Sequence, residues 1–209
     1  GQFVAGMYTE AFFEDDIEKI IEAGLECIPP ESQYYECISD TLRWCRENPD
    51  DFEKTWNLIN NKYHLNRDYR RFDCPKVRWE AEKNWDFNID AKINGAFIVV
   101  GLMYGGSDME TSIVRSAMCG QDNDCNPSNA AGVLGTVMGF DRIPSRFRQI
   151  DPEKTFINTD YTFAEITELC VRLARQAVKK AGGTVEKGSD GREYFVIPVL
   201  EPQPSEFAP

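Results

Sequence analysis

Two carboxylates standing two residues apart, Asp122 and Asp124, are the side chains of this 209-residue chain whose spacing best suits chemistry. They lie in GQDNDCNPSNAAGVLGTVMG, residues 120–139, a short polar loop between two apolar helical patterns. Oxygen-rich loops of this kind suit a hard cation such as Mg²⁺ or Ca²⁺. An EF-hand is rejected. Asp122, Asp124 and Asn126 fit its first three oxygen positions, but Pro127 stands where that loop needs glycine and Val133 where it needs a bidentate Glu. The plain alternative is that these side chains make Asx-turns and a helix cap, with Asn126 at the N-cap and Pro127 in the first turn. In the helix that follows, Ala131, Gly135 and Gly139 recur at four-residue spacing. Small residues there admit a second backbone, which would set the loop deep inside a bundle.

Other reactive side chains are weaker candidates. His64 follows an aromatic helix end without a carboxylate, Ser or Cys partner nearby in sequence, and reads as a helix C-terminal residue rather than a catalytic one. Arg67, Arg70 and Arg71 cluster beside Tyr69 and Phe72; a solvated loop is favoured over a phosphate or adenine contact. Trp79 and Trp85 read as anchors of a long loop rather than as platforms for a base. Cys119 and Cys125 flank the acidic loop, where redox sensitivity is conceivable but no feature points to a lowered pKa. The seven cysteines include no Cys-x-x-Cys pair, and several sit in apolar helical patterns, so most are expected to be buried free thiols. With one histidine in the chain, a Cys/His zinc site is not supported.

The elements that position these residues are mainly helical. Phe3, Val4, Met7, Tyr8, Ala11 and Phe12 form a first stripe, and Asp15 or Asp16 is placed to cap a second helix that ends at Pro29-Pro30. Ser32 caps a third helix, Asn48-Pro49-Asp50-Asp51 breaks it, and a fourth carries Phe52, Trp56, Ile59 and Tyr63. Residues 64–91 lack a sustained period, and a loop of that length is expected to serve a site. Helical patterns return over 92–105, 109–119, about 128–139 and 162–181. Thr184-Val185-Glu186 and Tyr194-Phe195-Val196-Ile197 then flank Gly188-Ser189-Asp190-Gly191, a hairpin signal. The expected class is all-α with a small C-terminal β-hairpin appended, divided into a helical bundle over 1–148 and an extension over 149–209.

Composition narrows the classes of partner. A formal net charge of −12 leaves no basic surface for a nucleic-acid duplex. The longest apolar stretch, GAFIVVGLMYGG at 95–106, is too short to span a bilayer, and no membrane partner is expected. No signal peptide opens the chain, and a reducing cytoplasm is the default compartment. The apolar start GQFVAGMYTEAFF suggests a piece cut from a longer protein, any targeting signal having gone with the missing part.

Residues 94–147 resemble the ADP-ribosylglycohydrolase family. An apolar helix (GAFIVVGLMYGG) leads to the acidic loop, then to NAAGVLGTVMG and to Asp141-Arg142-Ile143-Pro144-Ser145-Arg146-Phe147, in the order of the family's Gly-Gly-Asp-Thr-Asp-Thr, Ala/Gly-rich helix and Ile-Pro-x-x-Trp segments. GQFVAGMYTEAFFEDD and the Ile28-Pro29 break are also similar, so the resemblance covers roughly residues 1–148. It implies an all-α orthogonal bundle with a dinuclear Mg²⁺ site, acting on ADP-ribose or an ADP-ribosylated substrate by metal-assisted hydrolysis of an N- or O-glycosidic bond. Asp122 and Asp124 match the metal-ligating carboxylates, and Cys125 takes the place of a ligating hydroxyl residue. Asn123 and Gln121, replacing Thr and Gly, would border the substrate. A neutral thiol is a poor ligand for hard Mg²⁺, and Gln121 would narrow the pocket. The resemblance supplies no general base. The family's further ligand segments have no counterpart before residue 94, because Asp15-Asp16 and Asp50-Asp51 read as helix caps; the chain is expected to hold about half of the family's metal site. A non-catalytic relative that binds a ligand or partner is the alternative.

Overall fold

Helix starts fall where short polar side chains precede apolar periodicity. After α1 (Gln2–Glu10), Asp16 accepts from the backbone N–H groups of Glu18 and Lys19 to open α2 (Ile17–Glu26). Ser32 accepts from Tyr35 N–H at the start of α3 (Gln33–Glu47), and Asp51 from Lys54 N–H at the start of α4 (Phe52–Ile59). One expected stripe is cut short. The chain leaves α1 in a turn, with Phe13 N–H donating to Glu10 O, so Phe12 stands 74% exposed while Phe3 and Met7 are buried.

Helix α4 runs on into a π-helical turn, Asn60–Leu65, whose wider winding is pinned from α3. Asp40 accepts from Lys62 Nζ at 2.6 Å, from the Tyr63 hydroxyl at 2.8 Å and from Arg43 at 2.7 Å. Burial alone would raise the Asp40 carboxyl, but these three donors outweigh it and hold the group below the usual carboxylate range.

The structure, a computed structural model, describes residues 1–66 and 90–206. Arg67, Tyr69, Arg70, Arg71, Phe72, Cys74, Trp79 and Trp85 lie outside the described residues, as does most of the loop expected to wall a cleft. The centre of the bundle is α5 (Ala91–Gly105), which is apolar on every face and buries Ile93, Phe97, Val99, Val100 and Leu102. A helix with no polar face must be surrounded. It packs against α2, α3 and α4, and against α6 (Met109–Met118) and α7 (Cys125–Met138). None of the described helices is long and apolar enough to cross a membrane.

These helices belong to one unit, Gly1–Arg142 with Pro202–Pro209; Ile143–Glu201 forms another. The second is built on α8 (Phe163–Lys180), opened by a capping box between Thr162 and Glu165. An antiparallel hairpin follows, β1 (Thr184–Lys187) paired with β2 (Glu193–Val196) in the register Val185 to Phe195. In α8 Val178 is buried, whereas Cys170 and Leu173, on the stripe read from the sequence, are exposed. The architecture is all-α with a small C-terminal hairpin, as the periodicity predicts.

Candidate metal centre

The acidic loop is made by two successive residues in the left-handed region. Helix α6 ends at Met118, Cys119 closes it, and Gly120 (φ 83°) and Gln121 (φ 71°) turn the chain back. Glycine adopts this backbone without cost, whereas a residue with a Cβ is strained there by about 1–2 kcal/mol. Asn123 N–H donates to Gln121 O at 3.0 Å and Asn126 N–H to Asp122 O at 3.0 Å, which carries the chain directly into α7.

Helix α7 starts two residues earlier than expected. Its N-cap position is Asp124 rather than Asn126, and Pro127 is buried at the third helical position, where no intrahelical donor is required. The capping bond comes from Asp122, whose Oδ1 accepts from Cys125 N–H at 3.3 Å; Asp124 makes no side-chain cap bond. Asn126, read as a cap, is buried and donates to Asn94 Oδ1 of α5 at 3.0 Å.

Depth is also corrected. Asp122 is half-buried, and Asp124 and Cys125 are exposed, so the loop lies at the surface of its unit. The stripe of Ala131, Gly135 and Gly139 does not face a helix backbone across its length. Gly139 (φ 69°) ends α7 in open space, and the buried face is Asn126, Ala130, Val133 and Leu134. A close approach occurs at Gly132, where a Cβ would overlap the Tyr8 hydroxyl.

Asp122, Asp124 and Cys125 lie together, each offering a ligand atom, all within 4.8 Å of one another. The Asp122 carboxyl is held below its usual range by the hydrogen bond it shares with Asp124 and by those from Cys125. The Cys125 thiol moves the other way. A cysteine in the first turn of a helix is ordinarily acidified by the helix N-terminus, yet its S–H donates to Asp122 and the Asp122 charge penalises the thiolate, so its pKa is raised. At any pH below that raised value a smaller fraction is thiolate. Alkylation of Cys125 by iodoacetamide at mildly alkaline pH, followed by peptide mass mapping, is therefore expected to accelerate several-fold in Asp122→Asn. An unchanged rate would show that Asp122 does not control the thiol. Cys119, at the other end of the loop, is buried, and that burial pushes its thiol up to about 12, so it is a core thiol.

The donor set decides what ion would suit. Two carboxylates fit a hard divalent cation, which commonly takes one or two carboxylates and fills its shell with water and substrate oxygens. A protonated thiol does not fit such an ion, so Cys125 is the discordant member of the cluster. Asn123 is exposed beside the pair. Gln121 lies against His64, its Nε2 3.4 Å from His64 Nδ1.

Two contacts of the loop were not legible in the sequence. Trp56 of α4 donates its indole N–H to Cys119 O at 2.7 Å, fixing the end of α6. His64, read as a plain helix end, meets Gln121 and also lies 2.8 Å from Asn60 Oδ1 through the same Nδ1 atom. Trp56 and His64 are 63 and 57 residues away from their partners, which no local pattern spans.

Neither a curated protein nor a solved structure matches the chain. A protein family does, and its match runs past Phe147, where the motif resemblance ends, to take in α8. It supports a glycohydrolase-like function in general. Matching the ADP-ribosylglycohydrolase family over residues 1–182, which include the whole acidic loop, the chain belongs to that family.

Proposed function

We propose that this protein hydrolyses a glycosidic bond to ADP-ribose with the help of Mg²⁺ held at Asp122 and Asp124. The observation that carries this reading is the convergence of two carboxylates on a surface loop that lies within the residues the family matches. Bound there, a divalent cation would supply orientation of the ribose hydroxyls and polarisation of the attacking water. The protein's part is to present two fixed oxygen donors. Asp122 is oriented by its bond to Cys125 N–H, and Asp124 is left unengaged by the helix cap. Asn123, exposed beside the pair, and Gln121 are the loop residues that would border a substrate. A dinuclear site needs more oxygen donors than this loop holds, and Asp16 and Asp51 do not supply them because they cap α2 and α4. The reading therefore places the remaining donors outside the described residues.

A specific observation favours a second reading, a relative that binds its ligand or partner without turnover. Cys125 occupies the hydroxyl position with a thiol kept protonated by Asp122. One experiment separates the two. Release of ADP-ribose from an ADP-ribosylated protein is measured after chelation and again after Mg²⁺ is restored, for the natural chain and for Cys125→Thr. Hydrolysis that returns with Mg²⁺ in the natural chain supports the first reading. Activity that appears only in Cys125→Thr supports a decayed enzyme, and none in either sinks the hydrolase assignment.

A further inference from the structure

The π-helical turn after α4 ends against the acidic loop, and the contact is made by one imidazole nitrogen. His64 Nδ1 lies 2.8 Å from Asn60 Oδ1 and 3.4 Å from Gln121 Nε2. One atom cannot donate to the first and accept from the second at the same moment. With its proton, Nδ1 donates to Asn60 Oδ1 and Gln121 must offer its carbonyl oxygen. Without it, Nδ1 accepts from Gln121 and Asn60 must offer its amide N–H. Either tautomer closes the trio by turning over one amide.

The partner at the loop end is the residue with the least comfortable backbone. Gln121 holds φ 71°, where glycine alone is free of strain, and it immediately precedes Asp122. The imidazole is itself held from behind. Tyr63, next to it, is fully buried with its hydroxyl on Asp40, and Lys62 bridges Asp40 and Glu36. Trp56, two turns earlier on the same continuous helix, fixes Cys119 O at the other end of the turn. Helix α4 and its π extension thus grip the loop at both Cys119 and Gln121.

From this geometry we infer that His64 is a positioning residue of the acidic loop: through the Gln121 side chain it holds the left-handed turn that sets Asp122 and Asp124 side by side. Where the inference concerns a cation, it rests on the metal reading of the loop; where it concerns the loop's conformation, it stands alone. The experiment uses both. Amide hydrogen exchange is followed at Asn123 and Asn126, whose N–H groups close the loop, in the metal-free chain and in His64→Ala and His64→Asn. The amide nitrogen or oxygen of Asn can stand near the position of Nδ1, so this variant keeps the bridge and serves as rescue.

In His64→Ala, exchange at these two amides is expected to rise about tenfold while the amides of α5 keep their rates. In His64→Asn, the loop rates are expected to return toward those of the natural chain. Unchanged loop exchange in His64→Ala overturns the inference, as does failure of His64→Asn to rescue, or an equal rise throughout α5, which would mark a general structural role. Titration with Mn²⁺ on the same three proteins reads the second part. An affinity loss of about 10–100-fold in His64→Ala is the size expected for a residue that orients a metal ligand. No Mn²⁺ binding to the natural chain would sink the metal reading alone and leave the exchange data to decide the role of His64.

Discussion

Asp122→Asn is expected to reduce divalent-cation affinity by about 100-fold or more, the cost of a ligand exceeding that of the residues that merely orient one. The substitution is chosen because Asp122 has two tasks. Its Oδ1 accepts from Cys125 N–H and so caps α7, and its carboxyl group lies beside that of Asp124. Ala would remove both, and loss of a cap by itself costs about 1 kcal/mol of stability. Asn is as good a cap acceptor as Asp, so Asp122→Asn removes the charge and keeps the helix start. Calorimetric titration with Mg²⁺ or Mn²⁺, beside a urea unfolding curve, separates the outcomes. Lost binding at an unchanged urea midpoint supports a ligand. Equal heats for the natural chain and the variant would leave Asp122 as a cap and nothing more. Asp124→Asn should match it in binding and be still more neutral in stability, since Asp124 caps nothing.

Gly105→Ala is expected to destabilise the bundle by about 2–3 kcal/mol, the range for a methyl group forced into a packed interface. Two effects compete. Ala is the better helix former by about 1 kcal/mol, which would raise stability if the site were open. It is not open: a Cβ at 105 would stand 2.5 Å from both the backbone N and the Cα of Ser112 in α6 and would overlap the Ser112 hydroxyl. Backbone atoms cannot swing aside as the end of a long side chain can, so α5 and α6 would have to separate. At Gly101, one turn earlier, a Cβ would meet Ser116 Cβ at 2.6 Å and Ser112 O at 2.9 Å, which leaves the interface no slack next to position 105. A drop in the urea midpoint at constant slope checks this; a midpoint equal to or above that of the natural chain would refute it.

Local signals were read correctly from the sequence because their partners are near in the chain. Asp16, Ser32 and Asp51 each bond to an N–H two or three residues on. Small-residue spacing was legible only in part. The four-residue interval that lets two backbones meet is used by Gly101 and Gly105 in α5, whereas Gly139, the last of the α7 stripe, faces open space. Glycine carries no hydropathy that tells which face is inward, so the same spacing serves a packed seam in one helix and a half-exposed flank in the next. The cap of α7 moved from Asn126 to the region of Asp122 because an Asx side chain can accept from several N–H groups, and which one it meets depends on the turn before it. That turn depends on Gln121, whose φ of 71° no residue preference would have suggested.

The grip of Trp56 and His64 on the loop has a consequence for assembly. Helices α5, α6 and α7 are neighbours in sequence and pack on one another, so their hairpins can form from local encounters. The turn between α6 and α7 is also met by Trp56 and His64, from 63 and 57 residues away. Closing chain segments of that length carries an entropic cost that must be met before the contacts repay it. Helices α5, α6 and α7 alone would hold both aspartates and lack the two contacts that Trp56 and His64 make with the loop. The acidic loop is thus a joint between the two halves of the bundle, held at Cys119 and Gln121 by residues of α4 and its π-helical extension.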